Sequence, residues 1–294
     1  MDSRVIPLFL YATVVLIWGS TWLAVKYQIG PVSAEVSVAY RMGSAALLVF
    51  LLGLIKQLPF KYDLREHLLM MLQGALLFSF NFFFFYLAAE SIITGLIAVI
   101  FSTASALTMI FNCLILRRLP PVQLALGALL GVLGVCLIFT GELWASSVHS
   151  TIASGFLFAI CGNFCFSLGT IVSARIRNQE HSPVTIVAWA MTFGTGLLCI
   201  LAVALGIFFI FDPSPAYILS LAYLSLFGSV IAFTAYFALL RHIRPEQAAY
   251  ATVLFPVVAL TLSTLFESYQ WTAAGVLGVG ITLLGNVLIN WRTT

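Results

Sequence analysis

Polar and charged residues along this chain gather at short breaks, and the stretches between the breaks are apolar on every face. Ten such stretches stand out, at residues 5–27, 33–56, 67–89, 92–116, 121–141, 151–174, 183–209, 217–240, 246–266 and 271–291. Each comes close to or exceeds the roughly 20 residues that a helix needs to cross a bilayer. None shows the alternation of a half-buried strand, and all are far too long for the strands of a membrane barrel. The breaks are brief and carry Pro or Gly, as in "RRLPPVQ" and "FDPSPAY". The pattern predicts an all-α polytopic membrane protein with ten transmembrane helices.

Composition agrees with that pattern. Of 294 residues, 62% are hydrophobic and 8% charged, with a mean hydropathy of +1.10; a soluble domain carries about 25% charged residues. The basic residues then set the orientation. With the N-terminus in the cytoplasm, the inner segments hold eleven of the thirteen Lys and Arg residues, while Glu90, Glu142, Asp212 and Glu267 fall outside. Lys26 and Arg41 are the two exceptions. Both termini are therefore expected in the cytoplasm, and the net charge of +3 reports topology rather than nucleic-acid binding. The first apolar run is too long for a cleaved signal peptide and lacks a small-x-small cleavage site. Five cysteines, including Cys161 and Cys165 one turn apart, all fall inside predicted spans and read as small packing residues.

The chain also repeats. "LGALLGVLGVCLI" (126–138) and "LGVGITLLGNVLI" (277–289) align without gaps at an offset of 151, pairing Gly127 with Gly278 and Gly134 with Gly285. The same offset sets Tyr86 opposite Phe237, Ala98 opposite Ala249 and Ser105 opposite Pro256. Residues 1–145 and 146–294 thus read as two halves of five helices. Five is odd, so the second half enters the membrane upside down relative to the first. Inverted repeats of this kind frame the midplane sites of many secondary transporters, because two similar halves of opposite sense give two conformations of similar energy.

The first helix contains "LIWGSTWLAVKY", the second "EVSVAYRMGSAALLV", and each half closes with the glycine-spaced helix just aligned. In these features, over nearly its whole length, the chain resembles the EamA-type branch of the drug/metabolite transporter superfamily. The resemblance implies a five-plus-five inverted-repeat fold. It also implies export or exchange of amino acids and similar small metabolites across a bacterial inner membrane. One departure stands out: where such proteins often carry an acidic residue before the fifth helix, this chain has "LRRLPP", although Glu267 holds the corresponding place in the second half.

Arg41 is the most conspicuous candidate for a site. It lies eight residues past Ser33, about 12 Å from the outer helix end, where a charge costs at least about 2.5–3.5 kcal/mol. Either it pairs with Glu35 or Glu90 or caps a broken helix, or it anchors a carboxylate or phosphate through bidentate hydrogen bonds. In the second half Tyr40 and Arg41 correspond to Trp189 and Ala190, so the repeat itself does not require the charge. Lys26 and Glu35 are candidate charge partners or gates; Lys26 can instead reach the outer surface. Trp18 and Trp22, flanking Ser20 and Thr21, suit either a bilayer belt or a cavity wall. Asn81 and Tyr86 in "FSFNFFFFYLAAE", Asn163, Tyr236 and Tyr250 complete the candidate wall, since a polar group in hydrocarbon needs a partner. Pro256 can free carbonyls that then line a cavity.

The four histidines lie in loops or at helix ends, and no Asp or Glu sits clearly at mid-span, so built-in proton coupling is not visible. No HExxH, Walker A or Gly-x-Ser-x-Gly motif occurs, and the loops leave no room for a nucleotide-binding domain. The expected protein is a secondary transporter without a cofactor. Its partners are a small-molecule substrate and the lipid bilayer, not nucleic acid, and it works as a monomer or a homodimer. Two alternatives stand beside it: a carrier of phosphorylated or nucleotide-like solutes, and a non-transporting intramembrane enzyme or sensor.

Overall fold

A computed structural model describes residues 5–117, 119–145, 149–176, 182–239, 242 and 251–290. Among these residues every regular element is helical. Eight helices are long and apolar enough to cross a membrane, and two further apolar helices are shorter over the described residues. This is the architecture of a multi-pass membrane protein. The helices are α1 (Val5–Lys26), α2 (Ala34–Ile55), α3 (Leu64–Ala89), α4 (Thr94–Ile115), α5 (Val122–Ala145), α6 (His149–Ile176), α7 (Pro183–Ala204), α8 (215–239), α9 (Ala251–Phe266) and α10 (Ala273–Asn290).

Local chemistry sets several boundaries. α3 starts three residues before the expected position 67 because Asp63 and Glu66 form a capping box: the Glu66 N–H donates to Asp63 Oδ1 at 2.7 Å and the Asp63 N–H to Glu66 Oε2 at 2.9 Å. α7 and α8 open on Ser-Pro pairs, Ser182-Pro183 and Ser214-Pro215, with the serine accepting from a first-turn N–H and the proline at the start, where no N–H is needed. α7 ends at Ala204, short of 209, because Gly206 takes the left-handed conformation (φ +69°) that closes the helix. α9 stays helical through Pro256; the interruption falls instead in α4, at Thr103.

The outer surface is apolar. Leu47, Leu51 and Leu54 of α2, Leu126, Leu129 and Leu133 of α5, and Ile200 and Val203 of α7 are all exposed, a face suited to hydrocarbon and not to water. Inside, one buried cluster joins α2, α3, α7 and α8 around Val38, Met42, Phe78, Met191 and Leu198. A second joins α3, α4, α6, α9 and α10 around Phe85, Ile97, Phe156 and Leu260.

Two contacts are built in duplicate. α5 and α10 pack with bare backbones touching: a Cβ on Gly134 would stand 2.5 Å from the Gly278 carbonyl oxygen, and one on Gly285 2.5 Å from that of Gly127. The pairing is antiparallel and reciprocal, the earlier glycine of each helix meeting the later glycine of the other, as in a two-fold contact. The second duplicate involves a π-helical segment in α3 (Gly74–Phe80) and another in α8 (Leu224–Ile231). Gly74 packs on the Ala190 carbonyl oxygen of α7. Ser225, 151 residues after Gly74, donates its hydroxyl proton to the Arg41 carbonyl oxygen of α2 at 3.2 Å.

Candidate functional site

Arg41 faces inward. It is 4% exposed and lines a small cavity with Thr21, Trp22 and Val25 of α1 and Phe82, Phe85 and Tyr86 of α3. The spacing explains the wall: Thr21 and Val25 are one turn apart, as are Phe82 and Tyr86, so each helix presents one face. Phe82 lies under the guanidinium, its ring centroid 4.4 Å from Cζ, a cation–π contact that offsets part of the burial cost. Tyr86 is fully buried, and its hydroxyl is near enough to feel the Arg41 charge. Yet neither Tyr86 Oη nor Arg41 Nε has a hydrogen-bond partner of good geometry. Among the described residues no carboxylate forms an ion pair with Arg41. The site therefore holds a cation without a carboxylate partner and the Tyr86 hydroxyl beside it, in a chamber that is aromatic and aliphatic apart from Thr21. The cavity measures about 30 Å³, room for roughly one or two waters.

The other expected site residues are distributed differently. Glu35 is buried in the first turn of α2, where the helix dipole favours a carboxylate, and makes no ion pair with Arg41. Glu90 lies just beyond the end of α3; burial, and then the negative charge of Glu35, push its carboxyl above the ordinary range. Lys26 is exposed at the end of α1, donating to the Phe266 carbonyl oxygen at 3.4 Å. Trp18 and Tyr236 sit together, ring centroids 5.3 Å apart, in a cluster of α1, α8 and α9 outside the Arg41 cavity. Asn81 is buried at the junction of the α3 π segment, its Oδ1 accepting from the Phe82 N–H at 2.7 Å. Tyr250 lies outside the described residues.

Asn163 serves the interruption of α4. Its amide donates to the Ile100 carbonyl oxygen (3.0 Å) and to Thr103 Oγ1 (2.9 Å), and Ser167 donates to the Ala104 carbonyl oxygen. These bonds satisfy acceptors at the break, leaving Asn163 Oδ1 unpartnered. At the other end of α4, the first-turn N–H groups meet Glu267. The Thr94 N–H and hydroxyl donate to its carboxylate, the Gly95 N–H donates to Ser263 Oγ, and Ser263 in turn donates to Glu267.

Sequence reasoning singled out Arg41 and Tyr86, and the structure places them in one cavity. Trp22 was offered as belt or wall; Thr21, Val25, Phe82 and Phe85 were not selected, and the consecutive aromatics of α3 hid the last two. Ser225 and Gly228, which approach Arg41 from α8, had no local sequence mark at all.

Comparison with known proteins follows the same architecture. The model of the EamA-like transporter family matches twice, over residues 5–140 and 153–291. The uncharacterized inner membrane transporter YedA of Escherichia coli (strain K12) is 28% identical over 296 aligned residues, covering 96% of this chain and 91% of its own. The uncharacterized transporter YyaM of Bacillus subtilis (strain 168) is 24% identical, covering 92% and 90%. A solved crystal structure shares the fold at a TM-score of 0.66 and 18% identity, covering 95% of this chain and 94% of its own. The chain belongs to the EamA-like transporter family.

Proposed function

We propose that this protein is a secondary transporter of a bacterial inner membrane that exports or exchanges small amphiphilic metabolites, amino acids or related carboxylates, by alternating access. The transport unit is one chain of ten helices in two inverted halves, 1–145 and 146–294, with both termini cytoplasmic. The duplicated glycine contact of α5 with α10, the paired π segments and the twofold match to the family model support the halves. The basic residues of the inner segments support the orientation.

One observation carries the substrate class: Arg41 is buried without a carboxylate, beside the Tyr86 hydroxyl. A buried charge left unpaired costs several kcal/mol, and a substrate carboxylate removes that cost through a bidentate pair. The aromatic wall suits the apolar part of such a solute. A chamber of about 30 Å³ is too small for an amino acid, so loading requires the helices to part, as alternating access demands. A phosphorylated or nucleotide-like solute would call for more cations at this depth than Arg41 supplies.

The test is uptake of a panel of labelled amino acids into proteoliposomes of the purified protein, with and without a pH gradient. Saturable uptake that is indifferent to the gradient and lost in Arg41→Ala, with folding intact, supports the reading. Absence of uptake of every amino acid by folded wild-type protein overturns the substrate assignment.

A further inference from the structure

α4 consists of two segments with different attachments. The first, Thr94–Ser102, is held at its start by α9, a helix of the other half of the chain. The Thr94 N–H and hydroxyl donate to the Glu267 carboxylate at 3.2 and 2.7 Å, and the Gly95 N–H donates to Ser263 Oγ at 2.9 Å. Gly95 lets the two backbones approach: a Cβ there would stand 3.0 Å from Leu260 Cα.

The second segment, Ala104–Ile115, is attached elsewhere. Ser167 of α6 donates to the Ala104 carbonyl oxygen at 3.2 Å, and Phe111 packs on Phe164 of α6 with ring centroids 5.5 Å apart. Ala106 joins Leu124 of α5 and Ile289 of α10 in one buried cluster. Between the segments lies the break at Thr103, where Asn163 of α6 serves the Ile100 carbonyl oxygen and Thr103 Oγ1. Asn286 of α10 donates to Ser102 Oγ at 2.8 Å, which pins the first segment beside the break. A helix interrupted at one residue, with its freed acceptor already satisfied, has a hinge there. The first segment can tilt about Thr103 once its start is released, without unseating the second.

That first segment also backs the Arg41 chamber. Trp22 of the chamber wall packs on Phe101 with ring centroids 5.5 Å apart, and Phe101 meets Phe85 of the same wall at 5.5 Å and Phe255 of α9 at 5.8 Å. The repeat supplies no second copy of the cap. At the offset of 151, Glu267 corresponds to Leu116 and Thr94 to Pro245, which has neither an N–H nor a hydroxyl to give. The bonds favour closure at one end of the bundle, the end where α1 and α9 finish and Lys26 reaches the Phe266 carbonyl oxygen.

We propose that the Glu267 cap is a latch of the transport cycle: it seats the first segment of α4 on α9, shuts the Arg41 chamber toward that end, and breaks when that end opens. This deepens the alternating-access reading above and rests on it.

The experiment reads the chamber directly and needs no solute. Val25→Cys, on the chamber wall, is the reporter in a full-length chain whose Cys113, Cys136, Cys161, Cys165 and Cys199 are replaced by alanine. A membrane-impermeant maleimide is applied to either side of sealed vesicles, and modification of position 25 is followed by mass spectrometry. Glu267→Gln with Thr94→Val removes the charge and the hydroxyl donor while keeping both shapes. Labelling from the Glu267 side should become about tenfold faster, the shift that loss of a charge-assisted bond gives an opening equilibrium, with no rise from the opposite side. Gly95→Cys with Ser263→Cys acts in reverse, since a Cβ at 95 would stand 2.8 Å from Ser263 Oγ, within the reach of a disulfide. With that bond formed, labelling from the Glu267 side should be lost and should return on reduction, which decides the matter even where the release variant does not fold. Thermal unfolding in detergent is the folding control. A lower Tm with an unchanged labelling rate, equal acceleration from both sides, or a locked protein labelled as fast as its reduced form overturns the proposal. Failure of the amino-acid panel would overturn the substrate assignment alone, because these rates are read without any solute.

Discussion

The hydroxyl of Ser225 donates to the main-chain oxygen of Arg41 across 3.2 Å, tying the π segment of α8 to the residue that carries the buried charge. The corresponding contact, Gly74 on the Ala190 carbonyl oxygen, has no hydroxyl and therefore no such bond. The fold can be built without the bond, so its presence beside Arg41 points to positioning of the α2 backbone. Ser225→Ala is expected to cost about 1 kcal/mol of stability, the usual net worth of one neutral hydrogen bond, and to raise the KM for the transported amino acid. Thermal unfolding and proteoliposome uptake measure the two separately. A lower Tm with an unchanged KM would make the bond structural only.

The α5–α10 contact offers a sharper stability test. Gly134→Ala would drive a Cβ to 2.5 Å from the Gly278 carbonyl oxygen, and neither backbone can yield without separating the helices. A loss of about 1–3 kcal/mol is expected, as for overpacking elsewhere. Gly280→Ala, on the same α10 but with nothing within 4 Å of the added methyl, should be neutral or slightly stabilising, since alanine is the better helix former. Melting curves for the two variants in one detergent decide the matter; equal melting temperatures would refute the close packing.

Much of this was legible in the sequence, for identifiable reasons. The apolar stretches reproduce the helices because hydrocarbon leaves the backbone few other options. Boundary errors fell where polar chemistry extends or stops a helix, at the Asp63–Glu66 box and at Gly206. Arg41 and Tyr86 were legible because a charge or hydroxyl at membrane depth needs a reason. Phe82 and Phe85 were not, since consecutive aromatics cover every face of α3 and only packing selects the inward ones. Trp18 and Tyr236, also selected as wall, pair with each other outside the Arg41 cavity. The π segments left no mark, because an i to i+5 bond pattern depends on what the helix packs against.

Glu267, which holds the acidic position that the first half lacks, caps α4. Its carboxylate accepts from the Thr94 N–H at 3.2 Å and from the Thr94 hydroxyl at 2.7 Å, and Ser263 adds a third donor. Negative charge at a helix start is favourable, and a charge-assisted bond is worth about 1.5–3 kcal/mol. Glu267→Ala should therefore destabilise the protein by about 2–3 kcal/mol, and Glu267→Gln by less, because an amide oxygen still accepts. Amide hydrogen exchange should show the loss locally, as faster exchange at Thr94 and Gly95. Uniform exchange across all helices would assign Glu267 a role other than capping.

Glu90 carries the pH prediction. Burial and the nearby charge of Glu35 hold its carboxyl above the ordinary carboxylate value, so the folded protein binds this proton more tightly than the unfolded chain does. Linkage fixes the sign: the stabilising contribution is complete below the ordinary carboxylate pKa and is lost as pH rises through the elevated folded value. The contribution of Glu90 to stability should thus decline from about pH 4 towards neutrality, counter to the acid destabilisation produced by a salt-bridged carboxylate. Glu90→Gln removes the titrating group and the repulsion together. Its melting temperature should exceed that of the wild type at neutral pH and converge with it in acid, once Glu90 is protonated. Raising the salt concentration should narrow the gap at neutral pH, because the Glu35–Glu90 repulsion is screened. Melting curves of the two proteins across this pH range provide the measurement, and parallel profiles with a constant offset would show that Glu90 does not titrate with folding.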